Sequence, residues 1–356
     1  MFGCTFAHLA SRSGKRCLVI DKRPNLGGNL FCQNVEGINV HKYGPHIFHT
    51  DNEEVYKFVT SLVKVNPFIN APIAKSGGKL YNLPFNMNTF CQIYGPMTPK
   101  QAERQVKFES QEIKEIRNLE DKAISLVGKN LYYRLIKGYT EKQWGRPCTE
   151  LPASIITRLP VRFTFDNRYF QDRYQFIPVG GYNPLITELL RGSEAFPCVD
   201  FFSAEKDWHE LAERLVFTGR IDEFYQYRFG TLEYRSLRFD HRVLKQKNYQ
   251  GVAVMNYIDK EIPYTRIVEH RHFEQPESDP DVTVVTKEYP ANIKGTREPY
   301  YPVNDKKNER IYKKYKELAD QEKDVIFGGR LAEYKYYDMD DVIIRAMELW
   351  KSELNR

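Results

Sequence analysis

The chain reads as an α/β fold: a Rossmann-like parallel-sheet domain with an inserted helical domain and an antiparallel β-sheet domain. Three observations predict it. Residues 1–21 run helix, Ser13-Gly14 turn, then Arg16-Cys-Leu-Val-Ile-Asp21, an apolar strand ending in an acid, as in a parallel βαβ unit. Thr98–Gly128 places charged and apolar residues at helical spacing behind Pro99, which predicts helices. Residues 156–179 and 228–299 mix Tyr, Phe, Arg and Val between turns, the pattern of antiparallel strands.

Taken in order, Met1–Ala10 is the first helix, and Gly3 occupies the last glycine of a G-x-G-x-x-G fingerprint. The sequence opens at that point, so the first strand and first two glycines of the pattern lie outside it. Asp21 is the strand-end acid, and Gly27-Gly28-Asn29 follows closely. Tandem glycines let backbone approach a pyrophosphate, which points to FAD rather than a nicotinamide cofactor. Next comes His41-Lys-Tyr-Gly-Pro-His46-Ile-Phe-His49, an imidazole-rich segment bent at Gly44-Pro45 and suited to lining a site. No carboxylate stands at ligand spacing and the bend divides the histidines, so no metal is expected.

Residues 51–63 predict a capped amphipathic helix, Val65–Asn88 strands broken by proline, and 131–145 another helix. The tail predicts a strand at Asp324-Val-Ile-Phe-Gly-Gly and a helix over Asp340–Glu353. The expected division is a cofactor domain from 1–62, 180–225 and 300–356, a helical domain at 95–155, and a sheet domain from 63–94, 156–179 and 226–299.

Composition narrows the function. At 356 residues several structural units are expected, and 41% hydrophobic with 28% charged residues is ordinary for a globular protein. Twenty-four tyrosines suit polar-faced clefts. The net charge of +6 comes from scattered Lys and Arg, which argues against nucleic acid and fits an anionic small molecule such as a nucleotide sugar. Six widely spaced cysteines without a CxxC pair give neither a zinc site nor a disulfide framework. No long apolar run or leader is seen, so no membrane span and a cytoplasmic location are expected.

A series of blocks carries a family resemblance: HKYGPHIFHT (41–50), YNLPFNMNTF (81–90), GYTEKQWGRP (138–147), RLPVRF (158–163), IPVGGY (177–182), TGRIDEF (218–224), LEYRSLRF (232–239), PYTRIVEHRHFE (263–274), EYP (288–290), PYYPVND (299–305) and GGRLAEYKYYDMDD (328–341). In this order over nearly the whole chain they resemble the UDP-galactopyranose mutases, with Phe176 where a small residue is expected. The resemblance implies an intramolecular isomerase that interconverts UDP-galactopyranose and UDP-galactofuranose. N5 of reduced FAD would be the nucleophile on the anomeric carbon, with no net redox change.

The same resemblance implies the site residues. Arg158 and Arg266 would clamp the diphosphate, for which a planar guanidinium fork is suited, and Arg162 would be structural. Tyr169, Tyr300 and Tyr336 would share the phosphates, with Tyr139 near the uridine end and Trp144 on a mobile loop that closes over the substrate. Thr140, Phe170, Asn256 and Asp338 would be further pocket residues, while Asn70 and Asn82 are each either a contact to sugar or flavin or a satisfied loop amide. His46 and His49 would lie at the flavin face, where the His49 backbone carbonyl or imidazole would tune flavin N5 and assist proton transfer, beside a structural His41. FAD would be held by Gly3, Asp21, Gly27, Gly28, Asn29, His46, Gly329, Arg330 and Asp340. A homodimer is a family expectation. Two rival readings stand beside this one: an inactive mutase fragment that binds UDP-sugar with weakened hold on FAD, and an amine-oxidase-like flavin oxidoreductase.

Overall fold

Two short parallel pairs form the Rossmann-like part of the computed structural model, which describes residues 1–156, 159–203, 207–276, 279–293 and 298–355. Leu18–Asp21 runs parallel to Glu194–Pro197, and Leu215–Phe217 parallel to Val325–Phe327. Among the described residues no ladder joins the pairs. They share one helical layer instead, made of Phe2–Arg12 and Met339–Leu354, where the Phe6 ring meets Trp350 edge-on at 5.5 Å. Cys17, Val216 and Ile326 pack on that same apolar cluster. The strand expected over Arg16–Asp21 is shorter and less buried than its apolar sequence implies. It is paired on one side alone, and Leu18 is 49% exposed.

The antiparallel domain is a seven-stranded sheet ordered Tyr301–Pro302, Tyr234–Leu244, Thr283–Asn292, Arg266–Glu269, Val254–Tyr257, Ile73–Ser76, Lys79–Asn82. Among the described residues only the Val254–Tyr257 and Ile73–Ser76 pair of this sheet is parallel. Arg266 stands opposite Glu288, and Arg235 opposite both Asn292 and Tyr301. Because side chains alternate across a strand, Glu288, Pro290 and Asn292 share a face with these arginines.

A third sheet, Phe48–Thr50, Tyr174–Pro178 and Val65–Pro67, joins the histidine segment to the core. Phe176 is accommodated there by stacking on Phe48 at 4.8 Å. The expected strands over 156–179 reduce to Tyr174–Pro178. The preceding loop is tied instead by Arg162, whose guanidinium donates to the carbonyls of Arg168 and, at 3.1 Å, Tyr169.

The helical insertion runs Pro99–Glu109, Leu119–Leu131, a π-helical turn at Tyr132–Ile136, and Lys137–Trp144. Thr98 and Gln101 cap its first helix reciprocally. Trp144 therefore ends a helix, closed by Gly145 at φ +66°, rather than lying on a loop. The final helix begins at Met339, with Asp338 as N-cap in a capping box with Asp341, so Asp340 is its second residue and not its start. Among the described residues no helix is long and apolar enough to cross a membrane.

Candidate functional site

Arg266 sits at the bottom of a cleft on the seven-stranded sheet. About a quarter of its side chain (24%) reaches solvent, while its partner Glu288 is 1% exposed. Burial works against the guanidinium charge, but the carboxylate more than offsets this and holds Arg266 above its ordinary pKa. Burial raises Glu288 despite the arginine. One Glu288 oxygen, Oε1, is buried without a partner, close to Gly44. Gly44 takes φ +98°, and a side chain there would press on that oxygen.

Tyrosines surround this cation. Tyr139, Tyr169 and Tyr301 each feel Arg266, and Tyr336 influences all three. Burial raises each of these three phenols, Tyr169 to about 12, so they are neutral donors in the cleft. Tyr336 stacks on Tyr301 at 5.8 Å, and the Arg330 guanidinium lies 4.5 Å from its ring centre. Tyr139 is placed by the helix Lys137–Trp144, which is pinned to the sheet. Lys142 Nζ donates to the carbonyls of Tyr257, Asp259, Ile262 and Tyr264 at 2.7 to 3.1 Å.

His46 faces the same cleft, within reach of Arg330 and Arg266. Its backbone N–H donates to His41 Nδ1 at 3.1 Å, and the Tyr182 hydroxyl donates to its carbonyl at 3.0 Å. Its own Nδ1 lies 2.8 Å from the Gly44 carbonyl and must donate to it, which leaves the Nε2 lone pair free as an acceptor. Burial, with His41, Arg330 and Arg266, pushes the His46 pKa down to about 3; burial puts His41 at about 4. Both rings are neutral in the folded protein, and in the unfolded chain both titrate near 6.5. The unfolded state thus binds more protons below pH 6.5. Stability is full above that value and falls as pH drops toward 4. Each histidine is expected to remove about 2 kcal/mol between pH 6.5 and 5, read as a lower urea midpoint. An unchanged midpoint over that range would exclude the neutral assignment.

His49 belongs to a neighbouring group. Its ring stacks on Phe170 at 3.8 Å, its Nδ1 lies 3.1 Å from Asp172, and it is near Asp340. Burial raises the Asp340 carboxyl, against a hydrogen bond from Thr50.

The remaining expected residues scatter around these two groups. Thr140 is buried one residue from Tyr139, and Asn70 accepts the Tyr169 N–H at 2.7 Å through its carbonyl. Asn256, on a strand next to Arg266, has a buried Oδ1 without a partner. Asp338 caps the last helix. Asn82 ends the strand Lys79–Asn82, and its Oδ1 accepts from Gln92. Arg158 lies outside the described residues. Tyr300 turns toward Arg23, Tyr43 and Glu298 while its neighbour Tyr301 faces Arg266. Sequence reasoning missed Tyr301, Glu288 and Arg23; the doubled Tyr300-Tyr301 and the Glu288-Tyr-Pro block were the available signals.

A cofactor cradle adjoins His46. Gly27 and Gly28 take φ +87° and +59°; a side chain at Gly27 would strike Ile186, whereas beside Gly28 the space is open. Arg23 donates to Asn29 Oδ1 at 2.9 Å and to Glu298 at 3.1 Å, and lies over the Tyr43 ring. Tyr43 donates to Asn25 Oδ1, which leaves Asn25 Nδ2 a buried donor with no partner. Asp21 receives the Arg23 N–H at 3.0 Å. Gly3 opens the first helix against Thr218, and Gly329, at φ +89°, lies under Phe2 beside Arg330. The orphaned Asn25 donor, the open Gly28 face and cationic Arg330 fit a phosphate-bearing dinucleotide.

A family model described as UDP-galactopyranose mutase matches residues 134–336, and an NAD(P)-binding Rossmann-like model matches residues 1–62. The chain belongs to the UDP-galactopyranose mutase family. It is 38% identical to a dTDP-fucopyranose mutase of Escherichia coli, over 97% of this chain and 94% of that one. It is 37% identical to a probable UDP-galactopyranose mutase of Klebsiella pneumoniae, over 97% and 90%. A solved structure of reduced UDP-galactopyranose mutase shares the fold with TM-score 0.77 at 13% identity, covering 99% of this chain and 92% of that chain. FAD is the cofactor of this mutase-type isomerase.

Proposed function

We propose that the chain interconverts UDP-galactopyranose and UDP-galactofuranose. The observation that carries this is the Arg266 cleft, a recessed cation ringed by neutral phenols. A diphosphate leaving group needs such a clamp, since charge-assisted, bidentate hydrogen bonds hold it as the bond to the sugar breaks. Reduced FAD, when bound, supplies the nucleophile N5 toward the anomeric carbon, so the ring is rearranged without net oxidation.

The chain's own residues do the rest. Arg266, with Arg158, holds the diphosphate, and Tyr169, Tyr301 and Tyr336 donate to it. Tyr139 and Thr140 form the nucleoside wall, and Trp144 ends the helix that carries them. Asn256 Oδ1, buried and unpartnered, accepts from a sugar hydroxyl. His46 Nε2, on a ring that stays neutral across physiological pH, accepts a hydrogen bond from a hydroxyl of the reacting sugar. His49, Phe170, Asn70, Asp338 and Tyr300 line or support the pocket. Gly3, Asp21, Gly27, Gly28, Asn29, Gly329, Arg330 and Asp340 hold FAD.

The E. coli relative supports a second reading, dTDP-fucopyranose as substrate. Purified protein loaded with FAD is incubated with UDP-galactofuranose or dTDP-fucofuranose, with and without dithionite, and products are separated by chromatography. Conversion of the UDP-sugar under reducing conditions only is the expected result. Faster turnover of the dTDP-sugar would install the second reading, and peroxide release with an amine would install the oxidase. Silence with both sugars would end the mutase proposal.

A further inference from the structure

Arg235 is a cation that this mechanism leaves unused. It is 8% exposed; its Nε donates to the Gln143 carbonyl at 2.9 Å and one terminal nitrogen donates to Asn292 Oδ1. Other recessed arginines face carboxylates: Arg162 faces Asp166, Arg220 faces Asp222, and Arg23 faces Glu298. Among the described residues no carboxylate pairs with Arg235. Burial accordingly pulls its pKa below the ordinary value, with nothing opposing. A buried charge of this kind is costly until an opposite charge reaches it.

A cavity of about 250 Å3 opens beside it, walled by Trp144, Arg146, Arg235, Thr231, Tyr234 and Val303. Arg146 adds a second guanidinium at the wall, held 3.3 Å from Asp305. The carboxylate of Glu233 also lines the space, but Lys307 neutralises it at 2.6 Å. The volume is at the small end for a ligand pocket, which suits a small anion rather than a dinucleotide.

Neither Arg266 nor the tyrosines around it line this cavity. Arg235 and Asn292 form one row on the sheet face, and Arg266 and Glu288 form another. Four residues along the strand separate the rows, about 13 Å. The helix Lys137–Trp144 spans both, with Tyr139 at the Arg266 end and Gln143 and Trp144 at the Arg235 end. We propose that this cavity is a second anion subsite, taking a small phosphate- or carboxylate-bearing molecule while a nucleotide occupies the Arg266 cleft.

The test is calorimetric titration of the FAD-loaded protein with inorganic phosphate and, separately, acetate, against chloride at matched ionic strength, with and without saturating UDP. UDP binding is measured in the same preparation, so a failure of the nucleotide cleft is seen independently. The expected result is saturable binding of at least one oxyanion with an affinity that UDP changes by less than about threefold, far less than competition at saturating nucleotide would impose. Whichever of the two binds more tightly identifies the ligand group. Arg235→Gln should abolish this binding and leave UDP affinity intact. Asn292→Asp keeps the acceptor at Arg235 and adds a counter-charge, so it should raise the melting temperature and also abolish oxyanion binding. It decides the matter if Arg235→Gln does not fold. Competition with UDP, an equal response to chloride, no saturable binding, or oxyanion binding retained by Asn292→Asp would each overturn the proposal.

Discussion

Replacing Arg266 with lysine is expected to lower kcat/KM by about 10²-fold or more while changing stability little. Lysine keeps the charge beside Glu288 but loses the planar fork, and a point charge on a flexible stem cannot hold two phosphate oxygens in fixed geometry. Arg266→Met is a different experiment. It strands Glu288, which is 1% exposed, as an uncompensated buried carboxylate, and breaking such a pair costs about 3–5 kcal/mol. The double change Arg266→Met with Glu288→Met removes both charges and should recover most of that loss while remaining inactive. Urea unfolding and steady-state kinetics on the three variants separate clamp from scaffold. An Arg266→Lys enzyme within threefold of wild type would remove the bidentate clamp from the mechanism.

This pair also shows where the sequence stops being legible. Arg266 was identifiable because its neighbours, Pro263-Tyr-Thr-Arg-Ile-Val-Glu269, form a contiguous block. Its partner was not, because Glu288 reaches it only through the antiparallel register, and register depends on turns the intervening residues do not advertise. Tyr300 and Tyr301 make the same point at single-residue scale: adjacent residues at a strand edge face different ways, and a slip of one exchanges their roles. Local signals fared better. The helix Glu53–Leu62 begins beside the Asn52 cap that its sequence offers. The Gly44-Pro45 bend turns the Gly44 carbonyl to His46 Nδ1, a contact between residues close in sequence. At Asp338-Met-Asp-Asp341, three acids competed for one helix start; the capping box selects Asp338 and turns Asp340 toward Thr50. Burial of the first parallel strand could not be read locally, because it depends on what pairs with each edge.

Gly138→Ala is expected to damage the enzyme as severely as many direct changes at the cleft, though residue 138 carries no side chain. A Cβ at this position would lie 2.4 Å from the Ile258 carbonyl oxygen, a backbone atom that cannot rotate away. Either the helix Lys137–Trp144 lifts or the Ile258 loop moves. Lys142 resists both, since its ammonium bridges the helix to the carbonyls of Tyr257, Asp259, Ile262 and Tyr264. The strain has two outlets, and both are measurable. Overpacking of this kind costs about 1–3 kcal/mol, seen as a fall of a few degrees in melting temperature. A lifted helix also carries Tyr139 and Thr140 away from Arg266. A displacement near 1 Å at a binding group is worth about 10²-fold in rate, so kcat/KM should fall well beyond what lost stability explains at a temperature where the variant is fully folded. Gly145→Ala, at the other end of the same helix, supplies the contrast. Gly145 takes φ +66°, and its Cβ would press on the Arg235 guanidinium rather than on backbone. It should cost stability through backbone strain while leaving Tyr139 in place and UDP affinity near wild type. If Gly138→Ala turns over normally once folded, the position of this helix does not set the geometry of the cleft.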